Sequence, residues 1–315
     1  MVGRRLTRPV AAALAVALLA ACGDDSPRGT PATTAVEPPG WQPKDTIPDG
    51  ELVAVPIQNR PDPAKGQFQV KLVNGTREQF NVSTVQFVWA GLTTDVVERD
   101  RPGVVVGGQR VDYPVPLPAA TCVGDGTRAT MPSLDTARVL VTDEAGSVRE
   151  VPVVDPDRVI PRLYEEDCRR QFVEAHVTIE WVGLREGQFD GRPVTVGELR
   201  LTRGEAAGEV TVESISDTIP FLVDPLDSAP GEVVATLAAD ADAVSVPVQF
   251  LEGRCDPHAL AEITQPTKFI AQVRFDDGEP MPYIVYPDRD LWAPMRLTAD
   301  QACVELGKVV FVGDG

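Results

Sequence analysis

The feature that most constrains this chain is an internal repeat. The segment VDYPVPLPAATC (residues 111–122) aligns without gaps on VSVPVQFLEGRC (residues 244–255), at an offset of 133. Upstream, VKLVNG at 70 matches LRLTRG at 199, and RPGVVV at 101 matches APGEVV at 229. Downstream, ARV at 137 matches AQV at 271, and PDR recurs at 156 and 287. Because the offset stays between 128 and 135 while the order is kept, the sequence predicts two copies of one domain.

The repeat also bears on the cysteines. The chain has five, and Cys22 stands apart near the N-terminus. The other four allow three pairings by counting alone. Two copies of one domain should carry the same bridge, and each copy ends with a cysteine, so we predict the disulfides Cys122–Cys168 and Cys255–Cys303. Each would close a loop of about 46–48 residues, worth roughly 4 kcal/mol in the chain-entropy model.

Both copies have the residue pattern of β-strands. Runs such as QFQVKLV, ARVLVT, VSVPVQF and FIAQVRF are rich in Val, Ile and Phe, and turn signals such as Asn74-Gly75 separate them. Many short strands with frequent turns indicate an all-β fold. We therefore expect two tandem immunoglobulin-like β-sandwich domains, over residues 51–185 and 190–315.

The N-terminus has the three parts of an export signal. MVGRRLTR is basic, PVAAALAVALLAA is apolar but too short for a permanent membrane span, and LAAC follows at residues 19–22. This order resembles the lipobox of bacterial lipoproteins. The resemblance implies a signal peptide over residues 1–21 and a diacylglycerol on the thiol of Cys22. The alternative is a plain signal peptide whose cleavage region happens to contain a cysteine.

Composition and charge limit the classes of molecule that this protein can bind. Residues 22–50, rich in proline and glycine, indicate an extended tether. The net charge of −18 becomes more negative once the three signal-peptide arginines are removed, which argues against nucleic acid and against electrostatic adsorption to anionic lipid. We expect membrane attachment through the lipid anchor on the outer face of the cytoplasmic membrane, with an envelope protein or a cell-wall polymer as partner.

Catalytic and cofactor motifs are absent from the sequence. It has no Gly-x-Ser-x-Gly elbow, no His-Glu-x-x-His and no P-loop, and residues 124–129 (GDGTRA) lack the strand–turn–helix setting of a dinucleotide site. We expect no cofactor and no metal.

Alternation along VEAHVTIEW predicts an exposed strand position for His176. PDR is interpreted as scaffold, and acidic pairs as solvated loops: Asp155 and Asp157, Asp240 and Asp242, Asp276 and Asp277.

The segment CDPHALAE, residues 255–262, suggests a metal or catalytic site at first sight. Cys255 and His258 have Cys-x-x-His spacing, but structural zinc needs four ligands and no second such pair is present. A disulfide-bonded Cys255 is also no nucleophile. We predict a short helix instead, with Asp256 as its cap and Pro257 at its first position. The segment is similar to one in uncharacterised exported proteins of high-GC Gram-positive bacteria, a resemblance that implies no activity.

Three functions are compatible with this sequence. A lipid-anchored binding or scaffold module of the cell envelope is favoured. An envelope enzyme or enzyme subunit with paired carboxylates is the first alternative, because two facing acidic side chains leave no sequence motif. A structural spacer is the second. An acidic cleft would favour the enzyme, and an exposed apolar patch would favour a partner protein.

Overall fold

The computed structural model describes residues 50–94, 96–98 (backbone only), 102–123, 130–205, 208–229 and 231–308. The predicted signal peptide, Cys22 and the tether up to residue 49 lie outside the described residues, as does the segment 124–129. Residues 50–308 belong to one compact unit. Within the described part of the chain, no helix is long and apolar enough to cross a bilayer.

The first half forms a β-sandwich. One sheet has the order β1 (Leu52–Ile57), β2 (Gln67–Asn74), β7 (Arg110–Pro116). The other has the order β5 (Val96–Glu98), β4 (Thr84–Val88), β8 (Arg138–Thr142), β9 (Val148–Pro152). A small ribbon pairs β3 (Phe80–Val82) with β6 (Gly103–Val105). Alternate side chains of the two sheets, such as Phe68, Val70 and Phe87, form the buried core between them.

The second half repeats this architecture. Its first sheet has the order β10 (Val177–Phe189), β11 (Arg192–Arg203), β15 (Ala243–Glu252), β13 (Phe221–Pro225). Its second sheet has the order β14 (Ala235–Leu237), β12 (Val210–Ile215), β16 (Phe269–Phe275), β17 (Met281–Val285). These orders place strands as in the two sheets of immunoglobulin domains. The chain therefore contains two tandem β-sandwich domains.

Strand register confirms the duplication. In the first domain Val70 of β2 lies opposite Tyr113 of β7. The residues aligned with them by the repeat, Leu199 and Val246, lie opposite each other in β11 and β15. A one-residue slip would move every side chain to the other face, so this agreement places the same positions in both cores.

Each sandwich is followed by a helix that the strand-rich reading of the sequence missed. Helix α1 (Val159–His176) follows β9, and α3 (Trp292–Glu305) follows β17. The prediction that only residues 256–262 are helical was therefore wrong. Buried residues of α1 recur three or four positions apart, at Ile160, Leu163, Tyr164 and Cys168. This helical period was the signal available in the sequence.

Both predicted disulfides are confirmed. Cys122 and Cys168 are bonded with Cα atoms 5.6 Å apart, and Cys255 and Cys303 with Cα atoms 5.7 Å apart. Each bridge joins the connection after β7 or β15 to the helix that ends its domain. The disulfides therefore fasten α1 and α3 to their own sandwiches.

Helix α1 also joins the two domains. The first core ends at Cys168 and the second begins at Val173, so the division between cores lies within α1. The division predicted between residues 185 and 190 falls instead inside the β10–β11 hairpin. Helix α1 packs against β17, where burial and then the nearby Glu174 carboxylate raise the pKa of Tyr283.

The prediction of an exposed strand position for His176 was wrong. His176 is the last residue of α1, and its Nδ1 atom lies 2.7 Å from the carbonyl oxygen of Phe172. Its ring packs 4.0 Å from that of Phe172 and 4.8 Å from that of Phe275, between centroids. Because Phe275 belongs to β16, His176 packs the end of α1 against the second domain.

Candidate functional site

The connection from β15 to β16, residues 253–268, contains the predicted short helix and is called the α2 loop below. Helix α2 spans Pro257–Ala261, and the carboxylate of Asp256 accepts a hydrogen bond from the Ala259 N–H at 2.9 Å. This bond and the neighbouring Arg254 lower the pKa of Asp256, against the effect of desolvation. The prediction of an Asp256 cap and a Pro257 start is confirmed.

Cys255 and His258, the two residues that suggested a metal site, interact with other side chains of the protein. The sulfur of Cys255 is bonded to Cys303. The imidazole of His258 is 85% exposed, and its Nε2 atom lies 3.6 Å from the Glu262 carboxylate one helical turn away. Among the described residues, no group of three or more His, Cys, Asp and Glu side chains is placed to hold a metal ion.

The start of the α2 loop is held against the segment before β13. The N–H groups of Gly253 and Arg254 donate to the carbonyl oxygens of Pro220 and Ile219, at 2.9 and 2.8 Å. A side chain at Gly253 would collide with the Ile219 carbonyl, so this close approach requires glycine. The two segments thus form the walls of a concave surface.

That surface, which we call the lateral cleft, has a volume of about 750 Å³. Its floor is apolar, with Ile219 and Leu222 exposed by 43% and 41% and Ile270 half-buried. The remaining lining residues are small or polar: Ser216, Asp217, Thr218, Gly253, Arg254, Gln265 and Lys268. A cleft with exposed aliphatic side chains is suited to an apolar ligand surface.

Two cations and one carboxylate border the lateral cleft. The Asp217 carboxylate accepts the Val223 N–H at 2.8 Å, so it serves the edge strand β13. Arg254 lies 2.9 Å from Asp256 and remains largely exposed. Lys268 has no carboxylate within ion-pair distance in the described part of the chain. Because Asp217 and Asp256 accompany the two cations, the rim is close to neutral overall, and Lys268 is its cation outside the ion pairs of the described residues.

A second concave surface lies on the other side of the α2 loop, between the domains. This interdomain crevice has a volume of about 310 Å³. The first domain contributes Pro63 and Ala64, and the second contributes residues 264–267, Tyr286 and Trp292. Gln265 lines both concave surfaces, and its amide lies 3.4 Å from the Arg60 carbonyl oxygen across the domain boundary.

A buried carboxylate supports the first-domain wall of the crevice. Asp62 is 1% exposed and precedes a short 3-10 turn, Pro63–Lys65. One of its oxygens accepts the side-chain amides of Gln67 and Gln69 at 2.8 and 2.7 Å, and the other accepts the Asn59 N–H at 2.7 Å. These bonds offset the cost of burying the carboxylate and fix the loop that carries Pro63.

The predicted acidic pairs and the PDR motifs are dispersed over the structure. The Asp155 carboxylate accepts the N–H groups of Val159 and Ile160, both at 2.8 Å, at the start of α1. The Asp276 carboxylate accepts the Glu209 N–H at 2.9 Å. The first PDR motif directly precedes α1, with Arg158 in the left-handed region at φ 52°, and the second leads into the 3-10 turn Arg289–Leu291 before α3. The two PDR motifs therefore belong to the scaffold.

Comparison with known proteins gives little information. No protein-family model matches the chain, and no curated protein matches it. A crystal structure of a protein of unknown function from Porphyromonas gingivalis W83 covers 77% of this chain and 98% of its own, with 18% sequence identity and a TM-score of 0.20. A similarity with so low a TM-score supports no conclusion about fold or function.

Proposed function

We propose that this protein is a lipid-anchored binding module of the cell envelope, held by Cys22 on the outer face of the cytoplasmic membrane. The proposal further assigns the lateral cleft to a segment of a partner protein that has apolar side chains and acidic groups. The observation that carries it is the exposed aliphatic floor of Ile219 and Leu222, bordered by Lys268, which is in no ion pair with the described residues.

Charge supports the choice of an acidic partner segment. The protein carries a net charge of −18, so its general field repels acidic molecules. Lys268 provides a positive charge at the cleft, where the apolar floor also gains from being covered. An acidic, apolar segment is thus attracted to this surface and repelled from most others, which favours specificity over general adhesion.

The proposal assigns no catalytic role. Hydrolysis by paired carboxylates needs two acidic groups that face a substrate. The single carboxylate of the lateral cleft, Asp217, accepts a backbone N–H, and the interdomain crevice has no acidic residue in its lining. The spacer alternative gives no reason for an aliphatic floor to remain open to solvent.

Membrane attachment is tested by Cys22→Ser. The variant should move from the membrane fraction to the soluble fraction of gently lysed cells, because the acyl chains supply the attachment. A variant that stays in the membrane fraction would contradict the anchor.

Partner binding is tested by chemical cross-linking in intact cells, with the yield of cross-linked partner as the readout. Leu222→Asp should reduce that yield at least tenfold, since it places a charge on the apolar floor, and Lys268→Glu should reduce it severalfold. Val148→Asp is the matched control, because Val148 is an exposed aliphatic residue of the first domain, at 61%. Equal yields from all three variants would contradict the assignment of the cleft.

A further inference from the structure

The two domains differ most where they meet at the interdomain crevice. In the second domain β10 and β11 are joined by the tight turn Asp190-Gly191, in which both residues have positive φ. In the first domain the equivalent connection between β1 and β2 is extended to residues 58–66 and carries Pro63 and Ala64. In the second domain the α2 loop, which joins β15 to β16, faces this connection. The two connections therefore form opposite walls of one crevice.

Both walls are held in place without any ligand. The buried Asp62 carboxylate fixes the first-domain wall through three hydrogen bonds. On the second-domain wall, the Trp292 indole N–H donates to the Pro287 carbonyl oxygen at 3.0 Å, which sets the orientation of the ring. Walls fixed in advance reduce the ordering cost of binding.

The chemistry of the lining selects a class of ligand. None of the crevice residues is charged: Pro63, Ala64, Thr264, Gln265, Pro266, Thr267, Tyr286 and Trp292. The aromatic rings and prolines offer flat apolar surfaces, while Thr264, Gln265 and Tyr286 offer hydroxyl and amide groups. The Tyr286 hydroxyl makes no hydrogen bond to the described residues, and burial raises its pKa, so it is a neutral donor.

We infer that the interdomain crevice binds a neutral saccharide, whose ring faces stack on Tyr286 and Trp292 and whose hydroxyl groups bond to Gln265 and Thr264. A sugar ring presents apolar C–H faces and polar edges, which match this mixture of flat apolar and uncharged polar groups. The volume of about 310 Å³ suits a short segment of a chain rather than a large ligand. This site shares Gln265 with the lateral cleft, but the other residues that line the two surfaces differ.

The test measures binding of defined oligosaccharides to the oxidised chain beginning at residue 22, with Cys22→Ser for solubility. The probes are the neutral tetramers of N-acetylglucosamine, mannose and galactose, and the cationic glucosamine tetramer is the charged comparison. Isothermal titration calorimetry measures the binding of each probe. We expect at least one neutral tetramer to bind with Kd below about 1 mM. Absence of binding by all three neutral tetramers would overturn the inference, as would tighter binding of the cationic one.

Single-residue variants test whether the saccharide binds in the interdomain crevice. Trp292→Ala and Tyr286→Ala should each weaken it at least tenfold, and Tyr286→Phe, which keeps the ring, should weaken it less. Leu222→Asp in the lateral cleft and Phe189→Ala on the β10–β11 hairpin should bind like the unmodified chain. Equal binding by all these variants would place the saccharide elsewhere and overturn the inference. Melting temperatures of the variants establish that each one is folded.

Aromatic-lined grooves also bind proline-rich segments, and the tether is such a segment. A synthetic peptide of residues 31–49 is therefore titrated in parallel, against the isolated chain beginning at residue 50. Binding of this peptide, lost in Trp292→Ala while no saccharide binds, would overturn the inference in favour of the tether. None of these results depends on the partner proposed for the lateral cleft.

Discussion

At the scale of single residues, the Glu252 carboxylate shows how a buried charge is tolerated. Its side chain is 8% exposed, and one carboxylate oxygen lies 2.5 Å from the Arg192 guanidinium. The other oxygen is buried and has no hydrogen-bond partner. Arg192 is therefore the group that offsets the desolvation of Glu252.

Arg192→Ala should lower the free energy of unfolding by about 3 kcal/mol, because it leaves a buried carboxylate unpaired. Urea-induced unfolding measures this effect. Arg200→Ala is the control, since Arg200 and Glu198 form an exposed pair 4.0 Å apart whose loss should cost less than about 1 kcal/mol. Similar losses in both variants would contradict the role given to Arg192.

Asp167 makes the folding stability of the first domain depend on pH. Desolvation opposes its ionisation, but hydrogen bonds from the Ala120 N–H, Arg170 and Gln171 lower its pKa below the usual value. A lowered pKa in the folded state stabilises the fold above the unfolded pKa of about 4, and that stabilisation is lost as pH falls through the folded value.

Asp167→Asn should therefore reduce stability near neutral pH and reduce it progressively less below about pH 4. Urea unfolding of both proteins at a series of pH values measures this difference. A constant difference between the two proteins over the whole range would contradict the effect.

The residue scale also shows where sequence reasoning succeeds and fails. Asp256 and Pro257 predict the start of α2 because capping is a local interaction. His176 was placed on a strand because α1 passes into β10 without a glycine or proline between them. Local patterns also do not place Pro63 and Tyr286 at one crevice, since the two residues are far apart in sequence.

At the scale of elements, the repeat predicted the disulfides because duplicated domains share bridges. It does not reveal α1 and α3, because similarity between two copies does not say which secondary structure a segment forms. The bridges enclose separations of 46 and 48 residues, so the chain-entropy model gives them nearly equal effects. Their functional effects should nevertheless differ, because only Cys255–Cys303 anchors the α2 loop.

Replacing either cysteine pair by serines should lower stability by about 4 kcal/mol. Only Cys255→Ser with Cys303→Ser should also reduce cross-linking of the partner. Denaturation and the cross-linking yield measure the two effects, and peptide mapping checks the bridges themselves. A peptide joining Cys122 to Cys255 would contradict the pairing, and equal cross-linking losses would contradict the assignment of the α2 loop.

At the scale of the whole molecule, two copies of one fold are joined through α1, and the concave surfaces lie where the copies differ. The strand order and register are shared, so they provide a common frame. The β1–β2 connection is longer than the β10–β11 turn, and the α2 loop differs in sequence from the β7–β8 connection. The lateral cleft and the interdomain crevice flank the α2 loop, which makes this loop the centre of the proposed function.

The most direct test of that claim is site-specific photo-cross-linking in intact cells. A photoreactive phenylalanine analogue replaces Leu222 in the lateral cleft or, as the control, Val148 in the first domain, with the anchor at Cys22 retained. We predict one discrete light-dependent adduct from position 222, its loss with Lys268→Glu, and no such adduct from position 148. No adduct from position 222, or the same adduct from both positions, would contradict it.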